Sequence, residues 1–319
     1  MSIHLTIAIP TYNGENRLLQ VLQKLEQQTL IDNFNWEIII VDNNSQDNTA
    51  KLIQTYQTTW QYSYPLKYVF EPQQGLAFAR QRAIEEAQGE LVAFLDDDNL
   101  PASNWVNAIY EFGQKYPQAG AYASQIHGLF EVEPSEQIKP IIFYLAINER
   151  GSQPLLYEPR KKGFPPGAGL VVRRDVWLQN VPSRLFFVGR VGKSMVGAED
   201  AEALFYIHRA GWEIWYNPEM EIEHIIPSSR LETKYLMGLM RSIGLCRFYF
   251  RMLLIKPWHR PFAFLIYLIN DLRKLIIHII IHRQTTQNSL NAAYEKERLI
   301  GTLQSPFYIT HLKLLNLLE

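Results

Sequence analysis

The four residues Ile38-Ile39-Ile40-Val41 are apolar at every position, and Asp42-Asn43-Asn44 follow at once. Successive side chains of a strand point to opposite faces, so such a run is stable as a strand only where both faces are covered. Helices on the two sides of a parallel sheet give that cover. The polar triplet then marks the carboxyl end of a central strand.

The surrounding sequence repeats the pattern. Ile3, Leu5, Ile7 and Ile9 alternate with other residues and Pro10 closes the run, after which Leu18, Leu22 and Leu25 recur at helical spacing. Further strands are predicted at 66–70, 90–95 and 120–125, and helices at 46–57, 76–87 and 103–115, the last with Ser103 as its cap. The alternation predicts an α/β fold: an open, mostly parallel, Rossmann-like sheet flanked by helices. In such sheets the ligand lies in the crevice beyond the carboxyl ends of the strands. Those ends are followed here by Pro10-Thr11-Tyr12-Asn13, Asp42-Asn43-Asn44, Glu71-Pro72 and Asp96-Asp97-Asp98-Asn99, so polar and acidic groups are expected to face one another on one rim. The irregular, proline-rich stretch 127–165, with its basic patch Arg160-Lys161-Lys162, is assigned to acceptor-side loops. Regular signals return with Pro166-Gly167-Ala168-Gly169, a strand through Val171 and Val172, and a helix after Glu199-Asp200 that Gly211 stops.

Three adjacent carboxylates, Asp96, Asp97 and Asp98, repel one another at a sheet edge unless something compensates them. Mg²⁺ or Mn²⁺ does so, typically with one or two protein carboxylates and the phosphate oxygens of a substrate; the alternative is a solvated acidic turn. Asp42, after its buried strand, suits either the N–H of a nucleobase, with Tyr12 as a stacking ring, or the cap of the following helix. A calcium loop over 42–53 is excluded, because Asp47 stands where such a loop needs glycine and Ile53 where it needs a bidentate Glu. Glu199 and Asp200 open a helix, where acids complement the dipole; a carboxylate there can equally act as a general base on a sugar hydroxyl. His224 is either a structural histidine or a nitrogen ligand completing an Asp/His site for Mn²⁺.

Taken together, these segments resemble the family 2 inverting glycosyltransferases. The likeness runs in order through AIPTYNG (8–14), EIIIVDNNSQDNT (37–49), GLAFAR (75–80), GELVAFLDDDNLP (89–101), PGAGLVVRR (166–174) and GAEDAEALFYIHRAGW (197–212), and covers residues 4–226. It implies a GT-A fold and transfer of a sugar, with inversion, from a nucleotide diphosphate sugar to an acceptor hydroxyl on a saccharide or lipid-linked saccharide. By position, Pro10, Thr11, Tyr12, Asp42 and Arg80 belong to the nucleotide side, together with Asp96 and Asp97. Asp96 and Asp98 correspond to the acids of the DXD motif, with Asp98 the direct ligand of the divalent cation and His224 its partner. Asp200 corresponds to the catalytic base, with Glu199 supporting it or the acceptor. More narrowly, EPQQGLAFARQRAI, LLYEPRKK and GWEIWYNPEMEIEH are similar to cyanobacterial glycosyltransferases of hormogonium polysaccharide synthesis, which implies an exported polysaccharide as the product.

Three other functions are separated from this pattern by the signals each requires. A nucleotidyltransferase that makes sugar nucleotides calls for a glycine-rich, basic phosphate loop near the N-terminus, where this chain has PTYNGEN. A non-catalytic sugar-nucleotide- or polysaccharide-binding component has no need of both acid sets, and a dehydrogenase lacks its GxGxxG here.

The net charge of −1 conceals a division. Residues 1–229, the expected catalytic domain, hold 18 Lys/Arg against 27 Asp/Glu; residues 230–283 hold 10 against 2. Within the tail, 230–319, the segment FAFLIYLINDLRKLIIHIII (262–281) approaches the length of a membrane span, but Asp271, Arg273 and Lys274 at its centre each cost about 2.5–3.5 kcal/mol in a spanning helix. Helices lying on an anionic membrane fit better, with packing on the catalytic domain or in a homodimer as the alternative. The N-terminus reads as a first strand and not as a signal peptide, and the lone Cys246 excludes an internal disulfide and fits a reducing compartment. The expected location is the cytoplasmic face of the plasma membrane, with polysaccharide assembly proteins as candidate partners and nucleic acid not among them.

Overall fold

The computed structural model describes residues 2–29, 34–159, 163–192, 194–282 and 289–316. The basic patch Arg160-Lys161-Lys162 lies outside them. The chain divides into two units: residues 1–129, 146–191 and 199–226 form the first, and 130–145, 192–198 and 227–319 the second.

In chain order the elements are β1 (Leu5–Thr11), α1 (Leu18–Glu26), β2 (Trp36–Asp42), α2 (Thr49–Thr59), β3 (Leu66–Phe70), α3 (Leu76–Glu86), β4 (Leu91–Phe94), β5 (Asn99–Pro101), α4 (Trp105–Lys115), β6 (Ala119–Phe130), β7 (Leu155–Leu156), β8 (Leu170–Arg173), α5 (Arg174–Asn180), α6 (Glu199–Arg209) and β9 (Glu213–Ile226). Helices α7 (Thr233–Leu245), α8 (Arg247–Leu253), α9 (Arg260–Ile281) and α10 (Leu290–Asn316) complete the chain.

The strands form one sheet in the order β3-β2-β1-β4-β8-β6-β9-β5, with β7 on β9. Strands β3, β2, β1 and β4 are parallel neighbours. Beyond β4 the sheet turns antiparallel, at β4 with β8, β6 with β8, and β5 and β7 with β9. The expected parallel architecture is therefore the half that carries the first crevice, and the sheet as a whole is mixed. Ile38 and Ile40 enter one core with Leu5, Ile7 and Leu22, while Ile39 and Val41 enter the other with Ala79, Ala83 and Phe94. The run that is apolar on both faces is thus covered on both.

Two local expectations change. Pro10 lies inside β1, opposite Val41. Ala8 turns its carbonyl toward β4, accepting from Leu95 N–H, and Thr11 turns its carbonyl the other way, to Asn43. Pro10 therefore presents its missing N–H on the β4 side, where the ladder has already ended at Ala8–Phe94. Ser103 is not the cap of α4: Asn104 takes that position with no side-chain bond, and the Ser103 carbonyl accepts from the N–H and hydroxyl of Thr29. Gly211 does stop α6, with φ of 95° and its N–H on the His208 carbonyl.

In the second unit α7 and α10 touch backbone to backbone. A Cβ on Gly244 would stand 2.3 Å from the Arg298 carbonyl oxygen, and one on Gly301 2.2 Å from that of Arg241. Neither neighbour is a flexible side-chain end, so a methyl group must push the helices apart. Gly301→Ala is expected to destabilise this unit by about 1–3 kcal/mol, seen as a lower urea midpoint; an unchanged midpoint refutes the close contact.

Candidate active site

The rim loops after β1 and β2 are laced together. Asn13 donates its N–H to Ser45 Oγ and accepts from Gln46 N–H, Gly14 N–H reaches Thr49 Oγ1 at 2.8 Å, and Glu15 accepts from Asn48. Asn13 and Asn44 both have positive φ, 51° and 63°, a conformation that Asn tolerates better than most residues. Asp42, 2% exposed, accepts from Ser45 N–H at 2.9 Å and from the Tyr68 hydroxyl at 2.8 Å. It closes a turn instead of capping α2, which starts at Thr49. Burial and this bond push the Tyr68 hydroxyl up to about 12, so it stays a donor and fixes the carboxylate. Each carboxylate oxygen retains a second lone pair for a ligand. Tyr12 beside it is 44% exposed, its ring open for stacking.

The three consecutive aspartates diverge. Asp97 is held by the Thr11 hydroxyl at 2.6 Å and by both Nε and Nη2 of Arg17, at 3.0 and 2.9 Å. Burial pushes its carboxyl up, against the lowering pull of Arg17 and Thr11. Thr11 and Asp97 are thus engaged with each other, and Arg17, absent from the sequence-derived set, completes the clamp. Asp98 faces His224, with Oδ2 3.5 Å from Nε2. The backbone arranges this: Asn99 pairs with His224 across β5 and β9, and Ile225 N–H bonds to the Asp98 carbonyl. Asp96 is raised by burial and by the charges of Asp98 and Asp97, against Arg80 and His224.

Arg80 lies on the buried face of α3 among alanines, its guanidinium 5.3 Å from the Phe94 ring centroid. It reaches Asp96 Oδ1 at 3.5 Å and Glu199 Oε1 at 4.0 Å, and contacts Asp200. One buried guanidinium thus spans the aspartate cluster at the end of β4 and the acid pair opening α6. Asp200 Oδ2 accepts from Gly167 N–H at 3.0 Å. A Cβ on residue 167 would come within 2.2 Å of that oxygen, so glycine is required for the approach. Glu202, also unforeseen, is 1% exposed and accepts from the N–H groups of Phe186 and Phe187 at 3.1 and 2.9 Å. Its only sequence trace is an acid one turn after Glu199, next to the apolar residues of the buried helix face.

Among the described residues no three His, Cys, Asp or Glu side chains converge into a ready-made metal cage. Asp98 with His224 makes an oxygen and nitrogen pair, with Asp96 on the same loop. That donor set fits a divalent cation that takes its remaining ligands from a diphosphate.

The model of the family described as glycosyl transferase family 2 matches residues 6–176, more than half of the chain. The chain belongs to that family. Among curated relatives, the uncharacterized glycosyltransferase YfnE of Bacillus subtilis is 29% identical over 141 residues, 42% of this chain and 34% of YfnE, so the chain spans about a third of that protein. Succinoglycan biosynthesis protein ExoM of Rhizobium meliloti is 21% identical over 74% of this chain and 71% of its own. A crystal structure of GalNAc-T7 with UDP, GalNAc and Mn²⁺ superposes with a TM-score of 0.51 at 15% identity, over 76% of this chain and 48% of that one. The shared architecture is the GT-A fold. The family 2 match ends before α6, so Glu199, Asp200 and His224 lie beyond it and enter the site on geometry.

Proposed function

We propose that this family 2 glycosyltransferase moves a sugar from a nucleoside diphosphate donor to a hydroxyl of a saccharide or lipid-linked saccharide, with inversion, in the making of an exported polysaccharide. The observation that carries the reading is Arg80, whose single guanidinium touches both acid sets and so fixes them within one substrate's reach.

Asp42 accepts the ring N–H of the base, Tyr12 stacks on it, and Pro10 and Thr11 form the floor beneath. Asp98 with His224, and Asp96, would hold Mn²⁺ or Mg²⁺, which when bound neutralises the diphosphate as a Lewis acid. Asp200, held by Gly167 N–H, takes the acceptor hydroxyl proton as that oxygen attacks the anomeric carbon from the face opposite the leaving group. The bond from that carbon to the diphosphate oxygen breaks, and its electron pair leaves with the nucleoside diphosphate. Glu199, buried beside Arg80, holds that guanidinium in place. The name of ExoM supports a polysaccharide setting, and the lone Cys246 supports a cytoplasmic one.

The test is the by-product. The full chain, given a panel of nucleotide sugars with Mn²⁺ and a saccharide acceptor, is expected to release nucleoside diphosphate, to form product of inverted anomeric configuration by NMR, and to stop in EDTA. A chain that releases no nucleoside diphosphate from any nucleotide sugar, but liberates pyrophosphate when given a nucleoside triphosphate and a sugar 1-phosphate, is a nucleotidyltransferase instead, and retained configuration refutes Asp200 as the base.

A further inference from the structure

Helix α9 is inside out for a helix of a water-soluble surface. Of its 22 residues only Asp271 is buried, while Phe262, Ile266, Ile269 and Ile280 are 70%, 65%, 67% and 67% exposed. Together with Leu265, Leu272 and Ile276, also exposed, they recur at intervals of three and four residues and form one apolar stripe. Asp271 is turned the other way, where Arg251 grips both of its oxygens at 2.5 and 3.0 Å. The one acidic charge of α9 is thereby neutralised and removed from the stripe.

Cations flank and interrupt the stripe. Trp258, 65% exposed, precedes it with the Lys256 ammonium 5.4 Å from its ring, and Arg260, Arg273 and Lys274 lie along the helix. Among the described residues none of Lys256, Arg260, Arg273 and Lys274 pairs with a carboxylate; Arg273 meets only the Asn270 amide oxygen, at 3.0 Å. No helix of the described residues is long and apolar enough to cross a membrane. A stripe of aliphatic and aromatic residues edged by Trp, Lys and Arg, on a helix too charged to span, matches an element lying in the headgroup region of a bilayer. A second copy is a poorer occupant, because a two-fold contact through this stripe sets Arg273 of each chain into an apolar interface without a counter-ion.

We infer that α9 docks this chain on an anionic lipid surface, with Phe262, Leu265, Ile266, Ile269, Leu272 and Ile280 entering the acyl boundary. Lys256, Arg260, Arg273 and Lys274 meet lipid phosphates, the long stem of Arg273 letting its guanidinium reach up from within the stripe. The inference is independent of the transfer reaction and concerns where it takes place.

Flotation of the full chain with vesicles tests it. The protein is expected to float with phosphatidylcholine vesicles carrying about one third phosphatidylglycerol and far less with phosphatidylcholine alone. Ile266→Glu and Ile269→Glu, both at exposed positions and expected to leave thermal melting unchanged, should each lower the bound fraction about tenfold. Three results overturn the proposal: a chain that never floats with the anionic vesicles, one that floats equally well with neutral vesicles, and one whose flotation survives both substitutions. A dimer in light scattering that either substitution splits, with no vesicle binding, assigns the stripe to a second copy instead.

Discussion

Asp200→Asn is expected to lower glycosyl transfer by about 10²- to 10⁴-fold, the usual contribution of a general base, while leaving donor binding and thermal stability near those of the unaltered chain. The amide keeps the size of the carboxylate and an oxygen for Gly167 N–H, so it removes the proton acceptor without opening a hole. Two measurements separate the roles. Turnover with the true acceptor reports the base, and thermal stabilisation by the nucleotide sugar reports the donor side. If turnover survives intact, Asp200 is not the base. If donor stabilisation collapses as well, the defect lies in the Arg80 contact and not in proton transfer.

Asp271→Ala is expected to cost about 3–5 kcal/mol, because it leaves the Arg251 guanidinium buried without its counter-charge. The side chains of this pair are only 16% and 6% exposed, and the Arg251 guanidinium also lies 4.6 Å from the Tyr267 ring centroid. The cost should appear as a large drop in the denaturation midpoint of the full chain. Asp271→Ala with Arg251→Met removes both charges, and it should recover much of the loss. A single substitution as mild as an exposed one, below about 0.5 kcal/mol, refutes the buried pair.

The first crevice was legible because its signals are local. Ile38 to Val41 announce burial on both faces, and the polar residues that follow each strand announce one rim. The elements of the parallel half fall where hydrophobic spacing puts them. The antiparallel half was not legible, since strand direction leaves no trace in the period of side chains along a strand. The pairing of His224 with Asp98 depends on the β5–β9 register, and Arg17 meets Asp97 only because β1 and β4 are neighbours. Asp271 is the clearest case. Read along the sequence it is a charge in the middle of an apolar segment; in space it is neutralised by a residue of the preceding helix. Composition reveals that α9 cannot span a membrane, but only the fold reveals which side of it is bare.

Pro10 has a consequence for the energetics of the proposed donor site. At the point where β1 outruns β4, the backbone offers no N–H toward the neighbouring strand, so beyond the bond from Leu95 N–H to the Ala8 carbonyl the two strand ends are joined through side chains, the Thr11 hydroxyl on Asp97. The backbone ladder is ended by covalent structure, the proline ring. On the donor site proposed above, a nucleotide entering there meets no backbone ladder to unpick, and less of its binding free energy is consumed in reshaping the protein.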